Sequence, residues 1–131
     1  MIERRILSSY LGAGEVFHLA RRTLAPRGKG RAAMAPHNHD YHELFWIESG
    51  RLLHRVNGLD LMMEPGSLAF IRPDDVHALL PRGGPSNIVN LSLPSQTCDH
   101  LLARYGAVLS GQTFWIDGVA PHTVSLGAEQ W

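Results

Sequence analysis

Turn chemistry recurring about every ten residues is the feature that most constrains this chain. Asn57-Gly58 is the strongest hairpin signal. A type I′ turn needs two successive residues that tolerate positive φ, and this dipeptide supplies them. Pro65-Gly66, Arg72-Pro73-Asp74-Asp75 and the run PRGGPSN over 81–87 read as further turns or loops, and Ser49-Gly50 reads as the opening of a tight turn. Between them lie HELFWIESG, RLLHRV, LDLMME, SLAFI, VHALL and NIVNLSLP, dense in branched and aromatic residues. Short strands at this spacing predict an all-β sandwich or barrel. Around Leu44 to Ile47 both faces of the strand are apolar, so it is covered on both sides, by a core and by a second sheet, helix or subunit.

The flanks are less regular. ILSSYL reads as a short strand or an irregular lead-in. EVFHLARRTL alternates, with Val16, His18, Ala20 and Arg22 opposed to Phe17, Leu19, Arg21 and Thr23, and reads as a strand. His18 is expected to be a half-buried strand residue without chemistry. APRGKGRAA is a surface loop whose cations Arg27, Lys29 and Arg31, with nearby Arg22, are solvated. After Pro94 the spacing becomes helical, with Leu101, Leu102, Tyr105, Val108 and Leu109 on one side and Gly106 as a weak point. FWIDG and PHTVSL follow. SLGAEQW reads as a helix opening at a Ser125 cap that ends within two turns. The expectation is a domain of a longer protein; a disordered tail is the alternative.

Composition excludes several classes. The 131 residues suit one domain, and 12 Lys+Arg against 12 Asp+Glu give no basic excess for a nucleic-acid surface. A lone cysteine, Cys98, forbids an intrachain disulfide and suggests a reducing interior. No run approaches the roughly 20 apolar residues needed to cross a bilayer. Glu15 and His18 interrupt any signal-peptide core, so the expectation is a cytoplasmic protein with no membrane partner.

The chemistry concentrates in MAPHNHDYHELFWIESG, residues 34–50. His37, His39 and Glu43 share parity with Tyr41, Phe45 and Ile47, so on a strand they face one way. His77, in PDDVHALL, is a fourth candidate from a neighbouring strand. Three imidazoles and a carboxylate suit a borderline divalent ion such as zinc, nickel, manganese or iron. The alternative is a polar pocket whose histidines bind a ligand directly, without metal. His42 is out of phase and expected to be exposed. His54, His100 and His122 have no partner in sequence.

His37-Asn38-His39, three residues, Glu43, six residues and Gly50 match the first motif of the cupin superfamily. Pro73-Asp74-Asp75-Val76-His77 resembles its second motif, with aspartate in place of glycine, spacing one residue shorter and no asparagine after the histidine. The run HNHDYHELFWIESGRLLHRVNGLDLMMEPGSLAFIRPDDVHAL, with NIVNLSLP, resembles the N-terminal sensor domain of AraC-type transcription regulators. The resemblance is densest over residues 35–95, about half the chain.

It implies a single cupin-like domain: a double-stranded β-helix (jelly-roll) barrel with its core over about 34–95 and a helix-containing segment over 96–131. It implies His37, His39, Glu43 and His77 as ligands of a divalent transition metal. It further implies a small-molecule effector, such as a sugar or sugar derivative, a homodimer, and DNA binding only through a C-terminal helix-turn-helix half not present in this chain. Tyr41, Phe45, Trp46 and His54 are the expected effector contacts, plain barrel core being the alternative for the aromatics. A stand-alone metal-dependent cupin enzyme (a dioxygenase, isomerase or lyase) is the second reading. It is disfavoured because Tyr41 and His54 are the only further candidates for acid–base work.

Overall fold

A computed structural model describes residues 2–9, 11–12, 14–26, 34–105, 121 and 123–126. The expectations for Arg27, Lys29, Arg31, Gly106, Val108, Leu109, FWIDG, His122 and the terminal run from 127 lie outside these residues.

Strands dominate. They are β1 (Glu3–Arg5), β2 (His18–Leu24), β3 (Met34–His39), β4 (Tyr41–Val56), β5 (Leu59–Met63), β6 (Ser67–Ile71), β7 (His77–Pro94) and β8 (Thr123–Ser125). A 3-10 turn (Leu7–Ser9) follows β1, and helix α1 (Ser95–Tyr105) follows β7. Ser125, expected to cap a terminal helix, instead ends β8 opposite Ser67 of β6.

Two long antiparallel strands, β4 and β7, form the spine and pair over almost their whole length. Their first-to-last halves take different neighbours. Tyr41–Ile47 of β4 and Ile88–Pro94 of β7 are flanked by β6 and β2. Leu52–Val56 of β4 and His77–Pro81 of β7 lie between β5 and β3, with β1 parallel to β3 beyond. The spine thus contributes to two layers, β2-β7-β4-β6-β8 and β1-β3-β7-β4-β5. The core between them draws Leu24, Phe45, Ile47, Ala69, Ile71 and Ile88 from the first and Leu52, Met63 and Leu79 from the second. Each of these side chains except Ala69 contributes about 1.5–3 kcal/mol when fully buried.

This arrangement corrects two expected breaks. Ser49-Gly50 does not turn the chain back, and 81–87 is not a loop between strands; both lie inside continuous strands. The register shifts there instead, with Ser49 opposite Asn87 but Arg51 opposite Arg82. The extra residues form a bulge that bends the spine from one layer into the other. Gly50 has φ +82°, and a Cβ there would lie 2.5 Å from the Pro85 carbonyl oxygen, so only glycine fits.

The other turns follow their chemistry. Asn57 and Gly58 have φ of 51° and 82°, as a type I′ hairpin requires. Gly66 (φ 89°) links β5 to β6, its N–H donating to the Ile47 carbonyl at 3.1 Å. In the turn before His77 the positive φ falls on Asp74 (72°), and Asp75 stands where the motif has glycine. Its carboxylate accepts bonds from the Arg72 backbone N–H (2.8 Å), the Arg72 guanidinium (2.9 and 3.0 Å) and the Asn57 amide (2.8 Å). The departure from the motif is therefore compensated: a side chain closes the turn.

Candidate metal centre and adjoining pocket

β3 delivers His37 and His39 to the interior because they share a pleat face. His37 is directly opposite His77 across the β3–β7 ladder. A bend at Asp40 then starts β4 and brings Glu43 in from the other layer. The bend is anchored on both sides: the Leu7 N–H donates to Asp40 Oδ1 at 2.9 Å, and the Asp40 N–H to the Arg5 carbonyl at 3.1 Å. His37, His39, His54 and His77 are all at most 1% exposed, and Glu43 is buried.

His37, His39 and His77 each offer a ring nitrogen, and these atoms lie within 4.8 Å of one another. The His39 Nδ1–H donates to the Tyr41 carbonyl at 2.8 Å, which leaves Nε2 facing Glu43 Oε2 at 3.1 Å. That contact is close but not aligned as a hydrogen bond. Two lone pairs at this separation repel unless a proton or a cation lies between them. His77 Nε2 is likewise buried without a hydrogen-bond partner. Buried polar atoms are almost always satisfied, so two orphaned imidazole nitrogens beside a carboxylate fit a divalent ion with nitrogen and oxygen ligands.

Electrostatics point the same way. Burial, and then the neighbouring His54, His37 and His39 and the Arg5 cation, hold the His77 pKa well below 6.5. Burial lowers His54 to about 4 against the opposing pull of Glu43 and Asp75. Both rings are neutral at pH 7, the state in which imidazole binds metal.

A cavity of about 360 Å³ adjoins this centre, lined by Arg5, His18, Arg22, Tyr41, Asn90 and Ser92 among others. Register explains the grouping. His18 is opposite Ser92, Ala20 opposite Asn90, and on the other edge of β7 Glu43 is opposite Ser92. Directly opposed residues of antiparallel strands share a face, so all look inward. The Tyr41 ring stacks on His39 (4.2 Å between centroids, 12° between planes) and forms the wall between cavity and imidazoles.

The expected effector contacts separate accordingly. Tyr41 lines the cavity. Phe45 and His54 are packed behind the imidazoles, edge to face at 5.1 Å, and His54 Nε2 is 2.9 Å from His77 Nδ1. Trp46 is on the opposite face of β4, where with Leu19, Arg21, Glu48 and Val89 it lines an outer hollow of about 380 Å³. His42, expected to be exposed, is half-buried, and burial lowers its pKa. His100 is exposed on α1.

Sequence reasoning missed Arg5, His18, Arg22, Asn90 and Ser92 as cavity residues. The alternation of His18, Ala20 and Arg22 was the available signal; grouping Arg22 with the loop cations obscured it.

The profile of the AraC-like ligand binding domain family matches residues 18–125. Over 47 residues the chain is 36% identical to the HTH-type transcriptional activator RhaS of Enterobacter sp. (strain 638), which is 36% of this chain and 17% of that protein. The match thus spans about a sixth of the relative's length. Among solved structures, ToxT from Vibrio cholerae O395 superposes with a TM-score of 0.63 at 10% identity, over 88% of this chain and 45% of that one. A cupin protein from Bacteroides fragilis superposes with a TM-score of 0.55 at 18% identity, over 63% and 69%. The fold is that of a cupin barrel, and the chain belongs to the AraC-like ligand binding domain family.

Proposed function

We propose that this domain is the effector-sensing part of a cytoplasmic transcription regulator, with a divalent transition metal held by His37, His39, Glu43 and His77 at the base of its effector cavity. The observation that carries this reading is the pair of buried nitrogens without a hydrogen bond, His39 Nε2 and His77 Nε2, the first on the ring stacked against Tyr41 of the cavity lining. A bound ion would supply a Lewis-acidic position for a ligand oxygen. The chain's own residues do the rest. Tyr41 offers an aromatic face, while Ser92, Asn90 and the Arg5 and Arg22 guanidiniums offer polar contacts, a lining suited to a sugar or sugar derivative.

Such an effector acts by binding one arrangement of the regulator better than another. The shift it produces equals that difference in affinity. DNA contact belongs to a separate helix-turn-helix region, and the working form is a homodimer. The match to the activator RhaS supports the regulatory reading over a stand-alone enzyme.

The test combines elemental analysis with a thermal-shift panel of sugars. Wild type should carry about one divalent ion per chain and His37→Ala/His39→Ala none. A sugar at about 100 times its Kd should stabilise by roughly 2.7 kcal/mol. Equal metal in wild type and the double variant would remove the metal assignment. Metal-dependent turnover of a substrate would replace the sensor by the enzyme reading.

A further inference from the structure

We propose that His54 positions His77 as a metal ligand by accepting a hydrogen bond from His77 Nδ1–H, so that loading the site with metal selects one tautomer of both rings. The proposal rests on the metal reading above.

His54 is on the second half of β4, two residues from Val56, which is opposite His77. It is fully buried, is not among the residues lining the effector cavity, and touches the centre from behind. Its Nε2 is 2.9 Å from His77 Nδ1. The two rings meet nearly edge to face, at 84° and 5.2 Å between centroids, while Phe45 packs against His54 at 88° and 5.1 Å. On its other side His77 looks toward His37 and His39, with ring centroids 4.4 and 5.6 Å away. Its Nε2 is the atom without a partner.

A neutral imidazole carries one proton on one of two nitrogens. The 2.9 Å contact can therefore run in either direction. If His54 Nε2–H donates, His77 Nδ1 accepts and the His77 proton is on Nε2, where a metal would bind. If His77 Nδ1–H donates, His77 Nε2 is a free lone pair, His54 Nε2 accepts, and the His54 proton is on Nδ1, a buried atom with no hydrogen-bond partner in either arrangement. Only the second arrangement permits ligation. Passing from the first to the second relocates one proton on each ring and changes neither charge nor proton count. His54 is thus an orienting partner of the kind metal-binding histidines use, supplied here by a second imidazole. Its role is distinct from effector contact.

The experiment uses the full chain with Zn(II) alone as probe. Zinc affinity is read by competition with a chromogenic chelator for wild type, His54→Leu and His54→Gln, with metal-free melting temperatures measured in parallel. Leucine fills the space but cannot accept, and should weaken zinc binding about 10–100-fold without lowering the metal-free melting temperature. Glutamine can accept through Oε1 and should recover most of that loss. ¹⁵N resonances of zinc-loaded wild type should place the His77 proton on Nδ1. Wild-type affinity in His54→Leu would overturn the proposal, as would a loss that tracks only a lowered metal-free melting temperature. If His54→Leu does not fold, the wild-type resonances decide, and a proton on His77 Nε2 in the loaded protein overturns the proposal. Wild type that binds no zinc would remove the underlying metal reading, and this proposal with it.

Discussion

Two adjoining clusters of the barrel interior are equally buried and chemically unlike. One is built from Ile47, Leu52, Met63, Leu79 and Ile88, all at most 1% exposed. The other is built from His37, His39, His54 and His77, just as deeply buried. In the first, shape and area account for every side chain. In the second, burial costs free energy unless each ring nitrogen has a partner, and three of them, His39 Nε2, His54 Nδ1 and His77 Nε2, have no hydrogen bond. Depth therefore does not separate core from site. The state of the polar atoms does.

The contrast can be broken most severely at the apolar cluster. Leu52→Ala should destabilise by about 2–5 kcal/mol in denaturant titration while leaving metal stoichiometry unchanged. A loss of metal in this variant would show that the two clusters are coupled.

Acid should act through the polar cluster. His54 and His77 have folded pKa values below 6.5, so between pH 6.5 and about 4 the unfolded chain takes up protons that the folded chain refuses. Metal-free stability is then fully present above pH 6.5 and falls as pH drops, by up to about 1.4 kcal/mol per pH unit for each ring. A flat profile of unfolding free energy across that window would contradict the neutral, buried assignment.

The smallest effect sharpens the comparison. Glu43→Gln puts an amide donor where a carboxylate oxygen faces His39 Nε2 at 3.1 Å. It should stabilise the metal-free protein by about 1 kcal/mol and weaken metal binding. Destabilisation of the metal-free form would mean that the two atoms already share a proton.

Much of this was legible in the chain. Strand parity puts His37 and His39 on one face, and Asn57-Gly58 sets the hairpin; the bend at Asp40 that brings in Glu43 from the other layer interrupts the single strand that parity assumes. What parity cannot give is which strands become neighbours. The pairing of His18 with Ser92, which builds the cavity, joins residues 74 apart in sequence, and the approach of Arg5 to His39 through β1 and β3 joins residues 34 apart. Gly50 and Gly83-Gly84 look like turns in sequence because glycine at positive φ serves a bulge as well as a reversal. Trp46 shares residue type with Tyr41, but its even position already assigns it to the other face.

The unbroken spine also sets an order on assembly. Val56 and His77 are 21 residues apart in sequence, whereas Tyr41 and Pro94, at the other end of the same ladder, are 53 apart. Closing the shorter loop costs about 0.8 kcal/mol less chain entropy. Pairing of β4 with β7 is therefore cheapest to begin beside His54 and His77 and to zip outward through the bulge. The strand segments that carry these two imidazoles would then be among the earliest non-local contacts the chain makes, with the cavity beside Tyr41 closed last.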